Sequence, residues 1–387
     1  MRIVDAFDRL GTESAFEVLA RANQLAASGK DVINLGIGQP DFPTPDNIVE
    51  AAIKALRDGH HGYTPANGIP ALREAVAADM KARRQVDVHP DRIVIVPGGK
   101  VTMAFAIQMF GEPGAEILYP DPGFPIYRSM IEFTGAEAVP IRLHESRGFS
   151  FDADEVLGQI TEKTRLMIVN SPANPTGGVV PKDQLDRLVA GLEHFPHVAI
   201  LSDEIYARMV YDGGPHASLM AYPEIADRLI LLDGWSKTYA MTGWRMGWGV
   251  WPEPLAPLAT RLAINVHSCV HAATQYAGIE ALIGPQQAVD EMVQAFDRRR
   301  RFIVDALNEQ PGFRCAEPGG AFYAFPNVTD TGWRSIELQD ALLQETGVAI
   351  ISGTSFGILG EGFIRFSYAN SLERIEQALE RINRFLA

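Results

Sequence analysis

Cysteine is nearly absent from the 387 residues, with Cys269 and Cys315 the only two. That excludes a disulfide scaffold and a cysteine-rich zinc site, and it fits a reducing compartment. Long apolar runs are missing as well. The longest are about five residues, such as Ala321 to Phe325, against roughly 20 for a bilayer span. The opening Met1-Arg2-Ile3-Val4-Asp5 carries no apolar stretch of the secretory kind, so a cytosolic location is expected. Basic charge is in deficit. There are 34 Lys plus Arg against 48 Asp plus Glu, a formal net charge of −14. Such a balance argues against nonspecific binding to nucleic acid or anionic membranes. It leaves room for a local cationic pocket.

What is present is an alternation of helical and strand patterns. Segments 13–28 and 46–58 have helical apolar spacing, and between them Asn34 to Pro45 is too rich in Gly and Pro for a helix. Short apolar runs at 93–96, 116–119, 138–143, 165–169, 198–201, 229–232 and 246–250 read as strands. Helical stretches at 100–110, 125–134 and 181–193 lie between them. This pattern predicts an α/β fold, a mostly parallel sheet of seven strands covered on both faces in three α/β/α layers. Residues 285–309 read as one long helix. Its Arg298-Arg-Arg-Arg301 run is expected to face acidic neighbours rather than nucleic acid. Beyond residue 312 come a helix at 335–346, strands around 348–351 and 363–367 and a helix at 371–386, α+β in character. The expected division is a large domain of residues 46–284 and a smaller α+β domain of residues 1–45 and 285–387.

In an open parallel sheet, ligands bind beyond the carboxyl ends of the strands. The residues there are unusual. They are Gly98-Gly99-Lys100, Pro120-Asp-Pro-Gly-Phe124, Asn170-Ser-Pro-Ala-Asn174-Pro-Thr-Gly177, Ser202-Asp203-Glu204-Ile-Tyr206 and Asp233-Gly-Trp-Ser236-Lys237. Glycines before a helix let backbone N–H groups approach a phosphate. Ser236 and Arg245 add a hydroxyl and a guanidinium. A desolvated Lys237 would be nucleophilic toward a carbonyl. A buried Asp203 would keep a pyridine nitrogen protonated. A lysine, a phosphate cradle and an acid together describe a pyridoxal 5'-phosphate site. Neither a dinucleotide nor a nucleotide phosphate-loop fingerprint is present.

The run Ser236-Lys237-Thr-Tyr-Ala-Met-Thr-Gly243-Trp-Arg245-Met-Gly247 closely resembles the cofactor-lysine signature of class I/II aminotransferases, fold type I of the pyridoxal-phosphate enzymes. Asn174-Pro-Thr-Gly177, Asp203-Glu204-Ile205-Tyr206, Gly36-x-Gly38-x-Pro40-Asp41-Phe42-x-Thr44-Pro45, Tyr63 to Pro70 and Ile364-Arg365-Phe-Ser-Tyr-Ala369 are similar to further motifs of that family, in order. The likeness runs from about residue 30 to 370. It implies that Lys237 carries the cofactor as a Schiff base and acts as the base. It also implies that Asp203 meets the ring nitrogen, and that Tyr206 and Asn174 meet the phenolic oxygen. Phe124 would stack on the ring. The backbone of Gly99 and Lys100, with Ser236 and Arg245, would hold the phosphate. Tyr63 would reach the partner's phosphate across a homodimer. Arg365 would grip the substrate α-carboxylate, with the Gly38 backbone closing over it and Phe124 and Asn174 beside it.

The implied activity moves an amino group between an L-amino acid and a 2-oxo acid, with 2-oxoglutarate or pyruvate as acceptor. A carbon–sulfur β-lyase on the same fold is the alternative. Glu204 is expected to be structural, and the tryptophans at 235, 244, 248 and 251 to be core and interface. His267 and His271 have the spacing of a helical metal pair but no acid completes a set, so no metal is expected. Near the first helix, Glu13 stands with no lysine beside it. If Glu13 lines the distal pocket it would repel a second substrate carboxylate, favouring neutral or amine-bearing amino acids. Arg9 is close enough to undo that.

Overall fold

The computed structural model describes residues 1–212 and 216–387. A short 3-10 turn, Asp5–Arg9, precedes α1 (Ser14–Ala27) and β1 (Ile33–Asn34). Then come α2 (Asp46–Arg57), α3 (Pro70–Arg84), β2 (Ile93–Val96), α4 (Gly99–Phe110), β3 (Glu116–Asp121) and α5 (Ile126–Thr134). They lead to β4 (Glu137–Arg142), α6 (Ala153–Gly158), β5 (Thr164–Asn170), α7 (Lys182–Leu192), β6 (Ala199–Asp203), β7 (Leu229–Gly234) and β8 (Gly247–Val250). The chain continues through α8 (Ala256–Val266), α9 (Ala272–Ile283), α10 (Gln287–Asn308), β9 (Tyr323–Ala324) and α11 (Ser335–Ala341). It ends with β10 (Val348–Ala349), β11 (Ile351–Ser352), β12 (Ile364–Ser367) and α12 (Leu372–Leu386).

The central sheet has seven strands in the order β2-β8-β7-β6-β5-β3-β4. All pairings are parallel except those of β8, which runs against both neighbours. Successive side chains of a strand face opposite sides of the sheet, and both sides here are apolar. Ile93, Ile95, Met167, Ile200 and Leu231 join one core with α3 and α7. Val94, Val96, Ile168, Leu201 and Leu232 join another with α4, α5 and α8. Each fully buried Val, Ile or Leu contributes about 1.5–3 kcal/mol, so both faces stabilise the sheet. The expected α/β/α sheet is therefore observed, with β3, β5, β6 and β7 running one or two residues beyond their apolar runs.

A third core belongs to the chain's later part. It joins α10, β9, β10, β12 and α12 and takes in Ile33 and Leu35. On α12 the buried Ile375, Ala378, Leu379 and Ile382 recur at helical spacing, and the Ser371 hydroxyl accepts from Arg374 N at 3.2 Å to cap the helix. β1 pairs in parallel with β10, and Asp31 binds Arg374 and Arg381. The segment around residues 14–36 thus packs on the C-terminal part. The first eleven residues do not. Arg9 Nε donates to Glu132 O at 2.8 Å and Gly11 N to Ser129 Oγ at 2.9 Å, tying them to α5. The arginine run on α10 meets acids: Arg299 pairs with Asp41, and Arg300 with Asp212, Asp297 and Glu317.

Three expectations need correction. The helix expected over 335–346 ends at Ala341 and continues as a wider π turn over Leu342–Thr346. The strand expected near 348–351 is two pieces, one pairing with β1 and one with β12. His267 and His271 do not share a helix. His267 ends α8 and His271 caps α9, its Nδ1 accepting from Thr274 N.

Candidate active site

A cavity of about 500 Å³ opens at the carboxyl ends of the parallel strands. Its lining includes Gly38, Gly99, Lys100, Phe124, Asn174, Asp203, Tyr206, Ser236, Lys237, Arg245 and Arg365. Every residue expected to hold cofactor or substrate is therefore gathered in one place, Tyr63 excepted. The sheet does this by topology. β2, β3, β5, β6 and β7 each release their next residues at the same edge. β8 runs the other way, so its start lies at that edge and brings Arg245 to Gly98. A Cβ on Gly98 would stand 2.2 Å from Arg245 Nη2, and its φ is +94°. Only glycine fits there. The result is a concave seat at the N-terminus of α4, flanked by a guanidinium and the buried Ser236. Such a seat suits a phosphate.

Lys237 is half-buried and its Nζ donates to Gly38 O at 2.5 Å. Burial pushes its pKa down to about 8, helped by the cations Arg365, Lys100 and Arg245 and opposed by Glu13. Asp203, 7% exposed, accepts Tyr127 Oη–H at 2.6 Å and Ile205 N–H at 3.2 Å. Burial nevertheless lifts its carboxyl to about 6. No cation pairs with it among the described residues. A carboxylate in this state gains from a positively charged ring nitrogen placed against it.

Arg365, on β12, is 3% exposed. One guanidinium nitrogen donates to Asn174 Oδ1 at 2.8 Å and another to Gly36 O. Its Nε has no partner. The guanidinium carbon sits 4.6 Å from the ring centroids of both Tyr323 and Phe356. Among the described residues no carboxylate pairs with it, and burial lowers its pKa from the usual arginine value. A buried cation without a counter-ion is costly unless an anion arrives. The open Nε, an amine near neutrality, an unpaired acid and the seat under Arg245 fit pyridoxal 5'-phosphate together with a carboxylate substrate.

Other residues were not legible. Tyr323 lines the cavity, its hydroxyl 2.7 Å from that of Tyr206, and a Cβ on Gly38 would stand 2.3 Å from it. Tyr127 follows Phe124 by nearly one helical turn, and their rings meet edge to face at 5.7 Å. That spacing was the one available signal. Glu13 does line the cavity, and Lys100 Nζ donates to its Oε2 at 2.6 Å. The Lys100 side chain points to the mouth, 5.0 Å above the Phe124 ring, while its backbone opens α4. Arg9 is held at α5 and is outside the lining. Tyr63 is 92% exposed and does not reach the cavity of its own chain.

A second cavity of about 310 Å³ lies beyond Thr238 and Tyr239. Its charges are matched. Arg84 binds Glu204 at 3.0 Å and Asp233 at 2.6 Å, and Arg83 binds Asp79. Glu204 also accepts from the Ser202 and Ser218 hydroxyls, the structural role expected of it.

Residues 30–382 match the family described as "Aminotransferase class I and II". The aspartate aminotransferase of Geobacillus stearothermophilus is 36% identical over 393 aligned positions, covering 100% of this chain and 99% of that protein. That of Bacillus sp. (strain YM-2) is 38% identical over 384, covering 97% of each. Among solved structures, the aspartate aminotransferase from Rhizobium meliloti superposes with a TM-score of 0.95 at 31% identity, covering 100% of this chain and 99% of that one.

Proposed function

The chain belongs to the class I and II aminotransferases, which depend on pyridoxal 5'-phosphate, and from that premise we propose how its residues divide the work. Lys237 is the cofactor lysine. At pH 7 an amine of pKa about 8 is neutral roughly 300-fold more often than one at the ordinary 10.5, so it can attack a carbonyl. When bound, the cofactor supplies that carbonyl and an electron-withdrawing ring. Gly99, Lys100 N–H, Ser236 and Arg245 hold the phosphate. Asp203 sits against the ring nitrogen, Phe124 against the ring, and Tyr206 with Asn174 beside the phenolic oxygen. Arg365 takes the substrate α-carboxylate bidentately, with the Gly38 backbone over it. That fixes Cα where Lys237 Nζ can remove its proton and carry it past the substrate nitrogen, the shift that amino transfer requires. The observation that carries this reading is the buried Arg365, without a carboxylate partner among the described residues, in the same cavity as a lysine whose pKa is lowered to about 8. It is tested by mixing the protein with an amino acid and 2-oxoglutarate. Formation of glutamate supports it, and release of pyruvate and ammonia without an acceptor supports the β-lyase instead.

The substrate class rests on the Glu13–Lys100 pair. With Lys100 held by Glu13, a monocarboxylic amino acid meets no stray charge, whereas a distal carboxylate must displace Glu13 to reach Lys100. Neutral donors are therefore preferred, with pyruvate as the acceptor that meets the same condition and 2-oxoglutarate as one that must displace Glu13, although the curated relatives compared above are named aspartate aminotransferases. A donor panel ranking aspartate far above alanine would overturn this.

The active form is a homodimer in this reading, with the partner's Tyr63 completing the phosphate site. The exposed Tyr63, and the exposed Ile264, Val266 and Ile283, support it. Residues 46–284 form the cofactor-binding domain, and residues 1–45 with 285–387 the smaller one, whose Arg365 closes on the substrate, except that the first eleven residues are held on α5 of the large domain. Both cysteines are free, in keeping with the cytosol. Among the described residues no helix is long and apolar enough to cross a membrane.

A further inference from the structure

Tyr323 is a buried polar group in the cavity to which the roles above assign nothing. It is 1% exposed and sits on β9, after the turn at Gly320. Three contacts meet on it. Its hydroxyl lies 2.7 Å from the Tyr206 hydroxyl. Its ring lies under the Arg365 guanidinium at 4.6 Å. The same hydroxyl presses against Gly38, whose carbonyl holds Lys237 Nζ. The Tyr206 ring is 5.9 Å from Lys237 Nζ. One side chain thus touches the neighbours of the lysine and the carboxylate grip at once.

We propose that Tyr323 is a two-ended positioning residue: its hydroxyl orients the Tyr206 hydroxyl toward the cofactor, and its ring holds the Arg365 guanidinium flat for the substrate carboxylate. This rests on the reading of Tyr206 and Arg365 given above. Two hydroxyls at this distance share one proton, and the other proton points away from the pair. When an acceptor enters beside Tyr206, Tyr323 is the group left to donate inward to the Tyr206 oxygen. A hydroxyl that accepts a hydrogen bond becomes a better donor itself. Tyr206 then stabilises negative charge on the phenolic oxygen more strongly, and the Schiff-base nitrogen holds its proton less tightly. The ring end works differently. A guanidinium stacked on an aromatic face keeps its edge free for bidentate bonds. Gly38 is required at this junction because any Cβ would collide with the Tyr323 oxygen.

The two ends separate experimentally. Tyr323→Phe removes the hydroxyl and keeps the ring, and Tyr323→Leu removes both. The readouts are the pH midpoint of the visible absorbance of the cofactor-loaded protein and the KM for the amino acid. Tyr323→Phe is expected to raise the midpoint by about one pH unit and leave KM within about twofold. Tyr323→Leu is expected to raise the midpoint equally and KM about tenfold. Should the leucine variant not fold, Tyr206→Phe and the double variant Tyr206→Phe/Tyr323→Phe replace it, and the double variant is expected to shift the midpoint no further than Tyr206→Phe. A visible band whose midpoint does not move in Tyr323→Phe overturns the inference alone. Additive shifts in the double variant do the same. A wild type with no visible band overturns the functional reading together with it.

Discussion

Asp233 and Lys237 leave the end of β7 close together in the chain, yet they enter opposite kinds of charged surroundings. On the Asp233 side, Arg84 is matched by two carboxylates and stacks over Trp248 at 5.9 Å. On the Lys237 side, Arg365 and Asp203 are as deeply buried, and among the described residues neither has an ion partner. The two regions share residue types and burial, so composition does not separate them. What separates them is whether the charges are closed on each other or left open. A closed cluster holds the strand end in place. An open one carries a desolvation cost in the free protein, which binding of an anion and a protonated ring relieves. The open side is where the proposed site lies, although the closed side is also a cavity.

This contrast can be broken by substitution. Lys237→Ala is expected to abolish the yellow colour of the loaded protein and lower amino-transfer by at least about 10⁴-fold, with the far-ultraviolet spectrum unchanged. Retained turnover would move the chemistry elsewhere. Arg84→Met leaves Glu204 and Asp233 buried without a counter-ion. Chemical denaturation should show a loss of about 3–5 kcal/mol, with kcat of the folded protein within about tenfold. Glu13→Gln frees Lys100, so kcat/KM for aspartate relative to alanine should rise about tenfold, measured on purified enzyme with pyruvate. The smallest effect concerns pH. Lys237, lowered to about 8 mainly by burial, reacts in its neutral form, which grows as pH rises. Cofactor capture by the apoprotein should therefore quicken about fivefold between pH 7 and 8 and level off above. A rate still climbing in proportion to hydroxide at pH 9.5 would mean an ordinary lysine.

Much of the large sheet was legible because each strand is a short apolar run bounded by Gly, Pro or Asp, with a helical period between. The helix Pro70–Arg84 was not, because Pro70 closes a turn-like stretch while also starting the helix at its first position. Nor were α8, whose buried face is three alanines, and α9, whose buried residues spread over most faces. β1 and β10 are two residues each and exist only through their mutual pairing. At the site, Lys237, Asp203 and Arg365 stood out because a charge at a strand end or within a strand is rare. Tyr323 did not, because Ala321-Phe-Tyr-Ala-Phe325 reads as core, and its second role appears only when β9 is folded against Gly38. Glu13 was legible as a charge near the site, but the Lys100 that holds it comes from a different helix.

The most direct test of the open-versus-closed account is the unfolding free energy of the Arg365→Met apoprotein. Met preserves most of the packing on Tyr323 and Phe356 and removes a buried cation that no carboxylate balances. The predicted value lies within about 1 kcal/mol of wild type, despite loss of substrate binding. A fall as large as the 3–5 kcal/mol or so expected for Arg84→Met would show that Arg365 is held closed by the fold, and would contradict the account.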